Sequence, residues 1–361
     1  MARPTRAPEI QIALLRAAPL FPEKLVRVVS VQLGLSRARI SAEVRALVDQ
    51  NYLVKIGTTR PTYELGPNRR FIRTFKAEGL SEDRVWSFDL APLLENLPRN
   101  VLDIANYGVT EMINNALDHA ESKTVFVYMN LNENTLSIAV ADEGIGIFRK
   151  ISTALNLPDE RLALLELSKG KLTTAPSRHS GEGIFFTSRV FDRFHIRSKG
   201  LVFDHLDGKE LDMLQEIDDL DDADARRGTF VYMDIARDSP RLMKDVFDEF
   251  SSGPDDYNFA KTIVPVRLTK VGDENLVSRS QAKRLMQRVD RFRSVVLDFS
   301  GVGAIGQAFA DEIFRVFANL HPEVEIAHVN AASEVQQMIR RAEVLRDEQG
   351  GQLPLLGKIE H

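Results

Sequence analysis

The sequence predicts a multidomain α+β and α/β protein, and three observations carry that prediction. Three apolar-striped helical segments and a short hairpin fill residues 1–66. A long amphipathic helix then runs into two alternating strands and glycine-punctuated turns within 99–240. Strand and helix patterns alternate over 260–350, as in an α/β layer. Two irregular passages are expected to be linkers: 67–98, punctuated by Pro67, Gly79, Pro92 and Pro98, and 241–259, around Ser251-Ser252-Gly253-Pro254.

The chain has 361 residues, 43% hydrophobic and 27% charged, which suits two or three folded domains. It contains no cysteine, so disulfides, thiolate metal sites and cysteine nucleophiles are excluded. No apolar run is long enough to span a bilayer, and Arg16 and Pro19 interrupt the N-terminus where a signal peptide needs an apolar core. A cytoplasmic protein without membrane contact is expected. The net charge of -5 is unevenly spread: residues 1–76 hold 14 Lys+Arg against 5 Asp+Glu, and the remainder is net -14. Segment 204–224 alone has 10 acids and one Lys. Such a run is ordinarily a solvated loop, and a sharper reading has it competing with DNA for the basic N-terminal region.

Helical periodicity covers 9–17 and 22–33, the second opened by Pro22 and broken at Gly34-Leu35-Ser36. Ser36 is a good N-cap for a third helix over 37–50, with Ile40, Val44, Leu47 and Val48 as its apolar stripe. Segments 52–56 and 62–65 read as a hairpin around 57–61. This order resembles a winged helix-turn-helix domain. The resemblance implies that the third helix enters a major groove, with Arg37, Arg39 and Arg45 meeting bases or phosphates and Arg60 at the wing tip approaching the backbone or minor groove. The plainer reading is that these arginines keep a helix soluble, or that the module docks a protein. The local net charge of +9 favours double-stranded DNA, because phosphate neutralisation supplies most nonspecific affinity.

In helix 101–120, Val109, Met112, Ile113, Ala116, Leu117 and Ala120 make one face and Glu111, Asn114, Asn115, Asp118 and His119 the other. Strands 124–131 and 135–141 form a hairpin and run into Asp142-Glu143-Gly144-Ile145-Gly146. An Asp at a strand end can accept a hydrogen bond from an exocyclic amine, and glycines beside it let backbone approach a flat ring. A stretch over 148–180 is expected to be mobile; it holds Lys169, Lys171 and Arg178 and ends at Gly181-Glu182-Gly183, just before a helical pattern. Glycines at a helix N-terminus expose N–H groups toward phosphate. A strand led by Gly228-Thr229 follows at 228–235.

These four ordered motifs resemble the GHKL superfamily, the ATPase α/β sandwich shared by gyrase, heat-shock chaperones, histidine kinases and mismatch-repair proteins. The resemblance implies ATP and Mg²⁺ as cofactors. It implies Glu111 as general base for water, Asn115 as Mg²⁺ ligand, Asp142 as the adenine-binding acid and Gly144 and Gly146 as shapers of its pocket. Gly181 and Gly183 then match the phosphate lid, and Thr229 the threonine after it. A basic residue for the phosphates is left open among Lys169, Lys171 and Arg178. The phosphoacceptor histidine of histidine kinases is missing, since no histidine precedes His119. His119 itself is expected to be structural, and TEMINNALDHA is closer to the anti-sigma-factor serine kinases.

Segment 294–317, SVVLDFSGVGAIGQAFADEIFRVF, resembles STAS-like domains, which bind regulators or are phosphorylated by anti-sigma kinases. Where phosphorylated members carry a serine, this chain reads Ile305-Gly306-Gln307-Ala308-Phe309, and Ser300 is expected in a turn. Three functions stay open at this point. The first is a regulator in which MgATP, bound and slowly hydrolysed, controls a DNA-binding winged helix and a STAS-like domain. The second is an anti-sigma-type protein serine/threonine kinase acting in trans, and the third a catalytically silent ATP-sensing scaffold. A homodimer is the default expectation, because winged-helix and GHKL domains often pair, and the STAS-like part would engage a regulatory protein.

Overall fold

A computed structural model describes residues 6–172, 181–206, 213–216, 228–253, 256–271 and 274–350. Near the N-terminus, α1 (Ala7–Ala17), α2 (Leu25–Leu33) and α3 (Arg37–Asp49) precede β1 (Leu53–Ile56) and β2 (Thr62–Leu65). Gly34, at φ +66°, ends α2 in the left-handed conformation, and Ser36 caps α3 by accepting the Arg39 N–H at 3.3 Å. Ile10, Leu14, Leu25, Val29, Ile40, Leu47 and Leu53 are all buried and pack as one cluster. β1 and β2 pair antiparallel, with Leu53 opposite Leu65.

The passage expected to be a linker over 67–98 is structured. It holds β3 (Arg69–Lys76), paired antiparallel with the following hairpin, and a helical passage over 82–94. Next in order come α4 (Arg99–His119), β4 (Thr124–Leu131), β5 (Thr135–Asp142), α5 (Ile147–Ala154), α6 (Leu162–Lys169) and α7 (Gly183–Val190). They are followed by β6 (Arg193–Ser198), β7 (Leu201–Leu206), β8 (Met213–Glu216) and β9 (Phe230–Ala236). Segment 148–180, expected to be mobile, contains most of α5 and all of α6, whose eight residues are all buried. Residues 173–180 lie outside the described residues, as does most of the acidic run 204–224.

The second expected linker, 241–259, holds α8 (Met243–Glu249), β10 (Ser251–Gly253) and β11 (Asp256–Phe259). β12 (Lys261–Pro265), α9 (Arg279–Met286), β13 (Ser294–Asp298), a helical passage over 307–320, β14 (Glu325–Val329) and α10 (Ser333–Gly350) complete the described chain. β12, β13 and β14 are parallel neighbours, as strand–helix alternation requires.

Two compact units result: 1–145 with 191–196 and 227–241, and 146–190 with 197–226 and 242–361. In the first, strands run in the order β3-β4-β5-β9-β6. Val125, Val127, Met129, Leu136, Ile138, Val140, Met233 and Ile235 are buried, as are Val101, Ile104, Val109, Met112 and Ile113 of α4. Every second residue of β4 is buried, so this strand gives one face to the core. A fully buried aliphatic chain contributes about 1.5–3 kcal/mol, which makes this layer the base on which the site stands.

Candidate nucleotide site

β5 delivers Asp142 to the end of the central strands, and the turn after it closes on β9. The Oδ1 atom of Asp142 accepts the Gly144 N–H at 2.8 Å and the Thr229 N–H at 3.3 Å. The Thr229 hydroxyl donates to the same carboxylate. In return the Asp142 N–H donates to the Thr229 carbonyl at 2.9 Å, and the Gly228 N–H to the Gly144 carbonyl at 3.0 Å. Burial raises the Asp142 pKa above the ordinary carboxylate value, against the opposing pull of the Gly144 and Thr229 donors.

Two glycines are required by space. A Cβ on Gly144 would fall on the Ala120 carbonyl, which also accepts the Ile145 N–H at 3.0 Å. A Cβ on Gly228, at φ +67°, would fall on the Asp142 carbonyl. Gly144 thus seats the Asp142 turn against the C-terminal end of α4, the helix that carries Glu111 and Asn115. Those two lie four residues apart, on one side of the helix, and both are partly buried. Asn115 Nδ2 is buried without a hydrogen-bond partner. Amide oxygen and nitrogen differ only by assignment, so this side chain holds an unsatisfied polar end suited to a ligand.

An ionised carboxylate offers about four acceptor positions, so the backbone donors on Oδ1 leave capacity for an exocyclic amine. An amide oxygen suits Mg²⁺, which prefers hard oxygen donors. Asp142, Gly144, Thr229 and Asn115 therefore fit a purine nucleotide with its metal. Ser122 was not foreseen: its Oγ accepts the Glu143 N–H at 3.1 Å and holds the turn from below. A serine just past a helix end is too common a residue to signal this role.

Gly146, expected at the adenine pocket, and the phosphate-motif glycines Gly181 and Gly183 lie in the second unit. Gly146, at φ +85°, starts α5 and accepts the Lys150 N–H at 3.0 Å. Gly183 begins α7, and the Gly181 carbonyl accepts the Leu172 N–H at 2.9 Å. Of the three basic candidates for phosphate contact, Lys169 is engaged elsewhere. It is 1% exposed, and its ammonium donates to Glu166 Oε1 at 2.7 Å and to the Gln287 carbonyl at 2.9 Å. Burial lowers its pKa while Glu166 opposes the shift. Lys171 donates to the Arg291 carbonyl at 3.1 Å, and Arg178 lies outside the described residues. The His119 side chain also lies outside them.

Arg37, Arg39 and Arg45 on α3 and Arg60 between β1 and β2 are all exposed. Arg39 also pairs with the buried Glu43 at 3.2 Å. In the C-terminal layer, Ser300 donates its N–H and Oγ–H to Asp298 Oδ1, at 2.9 and 2.7 Å, as a turn residue does. The helical passage over 307–320 is capped by Gly306 without a hydroxyl.

Among the described residues no helix is long and apolar enough to cross a membrane. No curated protein matches the chain. Residues 59–213 match the family model of the histidine kinase-like ATPase domain, and residues 281–336 that of the STAS-like domain of unknown function (DUF4325). With the Asp142 turn and the parallel C-terminal strands, these matches show a chain that carries a histidine kinase-like ATPase domain followed by a STAS-like domain.

Proposed function

We propose that this protein is an ATP-binding regulator whose GHKL-type domain binds and slowly hydrolyses MgATP, the nucleotide state controlling the STAS-like domain and a DNA-binding N-terminal module. The observation that carries the reading is the closed turn of Asp142, Gly144 and Thr229 seated on the end of the Glu111 and Asn115 helix. When bound, MgATP supplies a phosphoryl group whose charge the metal offsets. Asp142 accepts the adenine amine, with Gly144 and Gly146 shaping the walls. Asn115 offers its amide oxygen to the metal. Gly181 and Gly183 present backbone N–H groups to the phosphates, and the Glu111 carboxylate takes a proton from the attacking water.

Three helices and a hairpin, within a stretch 1–76 of net charge +9, support a winged helix that neutralises DNA phosphates through Arg37, Arg39, Arg45 and Arg60. A homodimer and a regulatory protein partner for the STAS-like domain complete the proposal.

Incubation with γ-labelled ATP tests the reaction class. Hydrolysis releases labelled phosphate, whereas a wild-type protein that binds no ATP refutes the proposal. The second reading, a serine/threonine kinase acting in trans, is favoured by Gly306-Gln307-Ala308, which leaves this chain without an acceptor hydroxyl at the STAS-like helix start. It predicts label on an added protein. A catalytically silent scaffold predicts binding with neither product.

A further inference from the structure

The ATPase match ends at residue 213 and the STAS-like match begins at 281, yet the second compact unit joins elements from both sides of that gap. Two independent sets of contacts make the joint. The first is polar and buried. Glu166 and Lys169, both within 2% of complete burial, sit one turn apart on α6. The Lys169 ammonium reaches the carbonyls of Gln287 at 2.9 Å and Arg284 at 3.3 Å beyond its bond to Glu166. Glu166 Oε2 accepts from Arg288 at 3.0 Å, and Arg288 donates again to the Lys171 carbonyl at 2.8 Å. Thr262 of β12 donates its hydroxyl to the Lys169 carbonyl at 2.7 Å. Every charge is met by a partner, the condition under which a buried ion pair holds one arrangement.

The second set is aromatic. Phe185 and Phe186 lie in the first turn of α7, after Gly183 and Ile184. Phe185 lies 4.4 Å from Phe259 and 5.0 Å from Phe250 between ring centroids, and Phe186 lies 4.2 Å from Phe247. Phe259 continues to Phe292, just before β13, at 5.2 Å. A Cβ on Gly170, at φ +76°, would press on the rings of Phe259 and Phe185, so the glycine is what lets α6 leave through this cluster.

We propose that the STAS-like domain is the mount of the phosphate-side helix: α6, α7 and strands β12 and β13 form one body, so nucleotide engagement at Gly181 and Gly183 is transmitted directly to the STAS-like strands. This rests on the nucleotide reading above. A ligand shifts such a body only through differential affinity for its arrangements, and packed contacts are what make the arrangements discrete.

Hydrogen–deuterium exchange on the full chain, with and without Mg²⁺ and a non-hydrolysable ATP analogue, tests it, with calorimetry measuring affinity. In the wild type, nucleotide should slow exchange in 261–298 as well as in 183–190. Arg288→Gln should speed apo-state exchange in 162–169 by about tenfold, although the substitution lies in the C-terminal domain. It should lower nucleotide affinity by no more than about tenfold while removing most of the protection over 261–298, since it touches no nucleotide contact and forfeits only the coupling energy. Thr262→Val should act in the same direction, and it carries the test if Arg288→Gln loses its circular dichroism. Full protection of 261–298 in variants that still bind nucleotide overturns the proposal, as does a wild type that binds nucleotide and protects nothing there. A wild type that binds no nucleotide by calorimetry fails the ATP reading and takes the coupling with it.

Discussion

Asp142 and Thr229 hold each other in both directions: the carboxylate accepts the Thr229 N–H at 3.3 Å and its hydroxyl, and the Asp142 N–H donates to the Thr229 carbonyl at 2.9 Å. Strand β5 is thereby tied to the start of β9 at the point where the candidate adenine acid must stay fixed. Asp142→Ala removes the acceptor from the Gly144 and Thr229 N–H groups, and buried donors left unpaired cost about 1–3 kcal/mol each. Urea unfolding should show a lower midpoint, and calorimetry should show ATP affinity lowered by at least about tenfold. An affinity equal to wild type rejects Asp142 as the adenine acid.

Gly144→Ala separates shape from chemistry. No acceptor is lost, but the new methyl must push against the Ala120 carbonyl, and overpacking of this kind costs about 1–3 kcal/mol. The turn can yield only by moving away from α4, which spreads Asp142 from Glu111 and Asn115. Weaker ATP binding together with a lower thermal midpoint is expected; two unchanged values would place the turn elsewhere.

The raised pKa of Asp142 sets two opposite pH trends. A protonated carboxyl loses acceptor strength, so ATP affinity should fall as pH drops, beginning above the ordinary carboxylate value of about 3.9. For stability the sign reverses. With the folded pKa above the unfolded one, the folded state holds the proton more tightly, so this group's contribution favours folding at low pH. That contribution is lost as pH rises from the unfolded to the folded pKa. Asp142→Asn cannot titrate and should flatten both trends. Calorimetry and denaturant titration between pH 4 and 7, roughly the span above that reference value, read them out.

Much of the fold that frames the candidate site was legible because periodicity carries it. The 3.6-residue stripe of Val109, Met112, Ile113 and Ala116 marks α4, and strict alternation marks β4. β3 escaped notice because its arginines blur the alternation of RRFIRTFK, and its partner lies over fifty residues away: Ile72 pairs with Tyr128. α6 was missed for the opposite reason. All eight of its residues are buried, so LALLELSK has no polar face to reveal a period. Its one available signal is the Glu166 and Lys169 pair at helical spacing inside an apolar run. The register of α6 on Arg288 is a tertiary property with no local trace.

Tyr52→Phe tests how the N-terminal helices are held in their compact unit. The Tyr52 hydroxyl donates to Asn130 Oδ1 at 2.6 Å and accepts from Arg70 at 3.1 Å, while Arg70 donates to Gln11 and Gln11 to Glu43. Removing one oxygen leaves a half-buried guanidinium and amide short of a partner, a loss of about 1–2 kcal/mol. Exchange protection over 7–49 should fall. Unchanged protection would show that the apolar cluster around Ile10 and Leu47 alone holds the helices.

The DNA reading makes a salt-dependent prediction. Each neutralised phosphate steepens the fall of log K with log salt by about 0.9, so Arg37→Ala with Arg39→Ala should flatten the slope by up to about 2. Arg39 already pairs with Glu43, which reduces its share. Mobility shifts across a salt series measure the slope, and an identical slope moves the module to protein docking.

Glu111→Ala and Asn115→Ala divide binding from turnover. The two residues share one side of α4, but their proposed tasks differ: Asn115 offers a metal ligand that acts in the ground state, and Glu111 moves a proton only as bonds change. Asn115→Ala removes the amide whose Nδ2 is buried and unpartnered, so that nitrogen gives up no hydrogen bond and folding stability should change by less than about 1 kcal/mol. Its calorimetric signature is weaker binding in Mg²⁺ than wild type and a smaller difference in EDTA. Glu111→Ala should bind MgATP within about threefold of wild type and lose at least about a hundredfold in phosphate release, the usual contribution of a general base. If Glu111→Ala turns over ATP at the wild-type rate, the base lies elsewhere. If Asn115→Ala shows no Mg²⁺-dependent defect, the unsatisfied amide serves some other ligand.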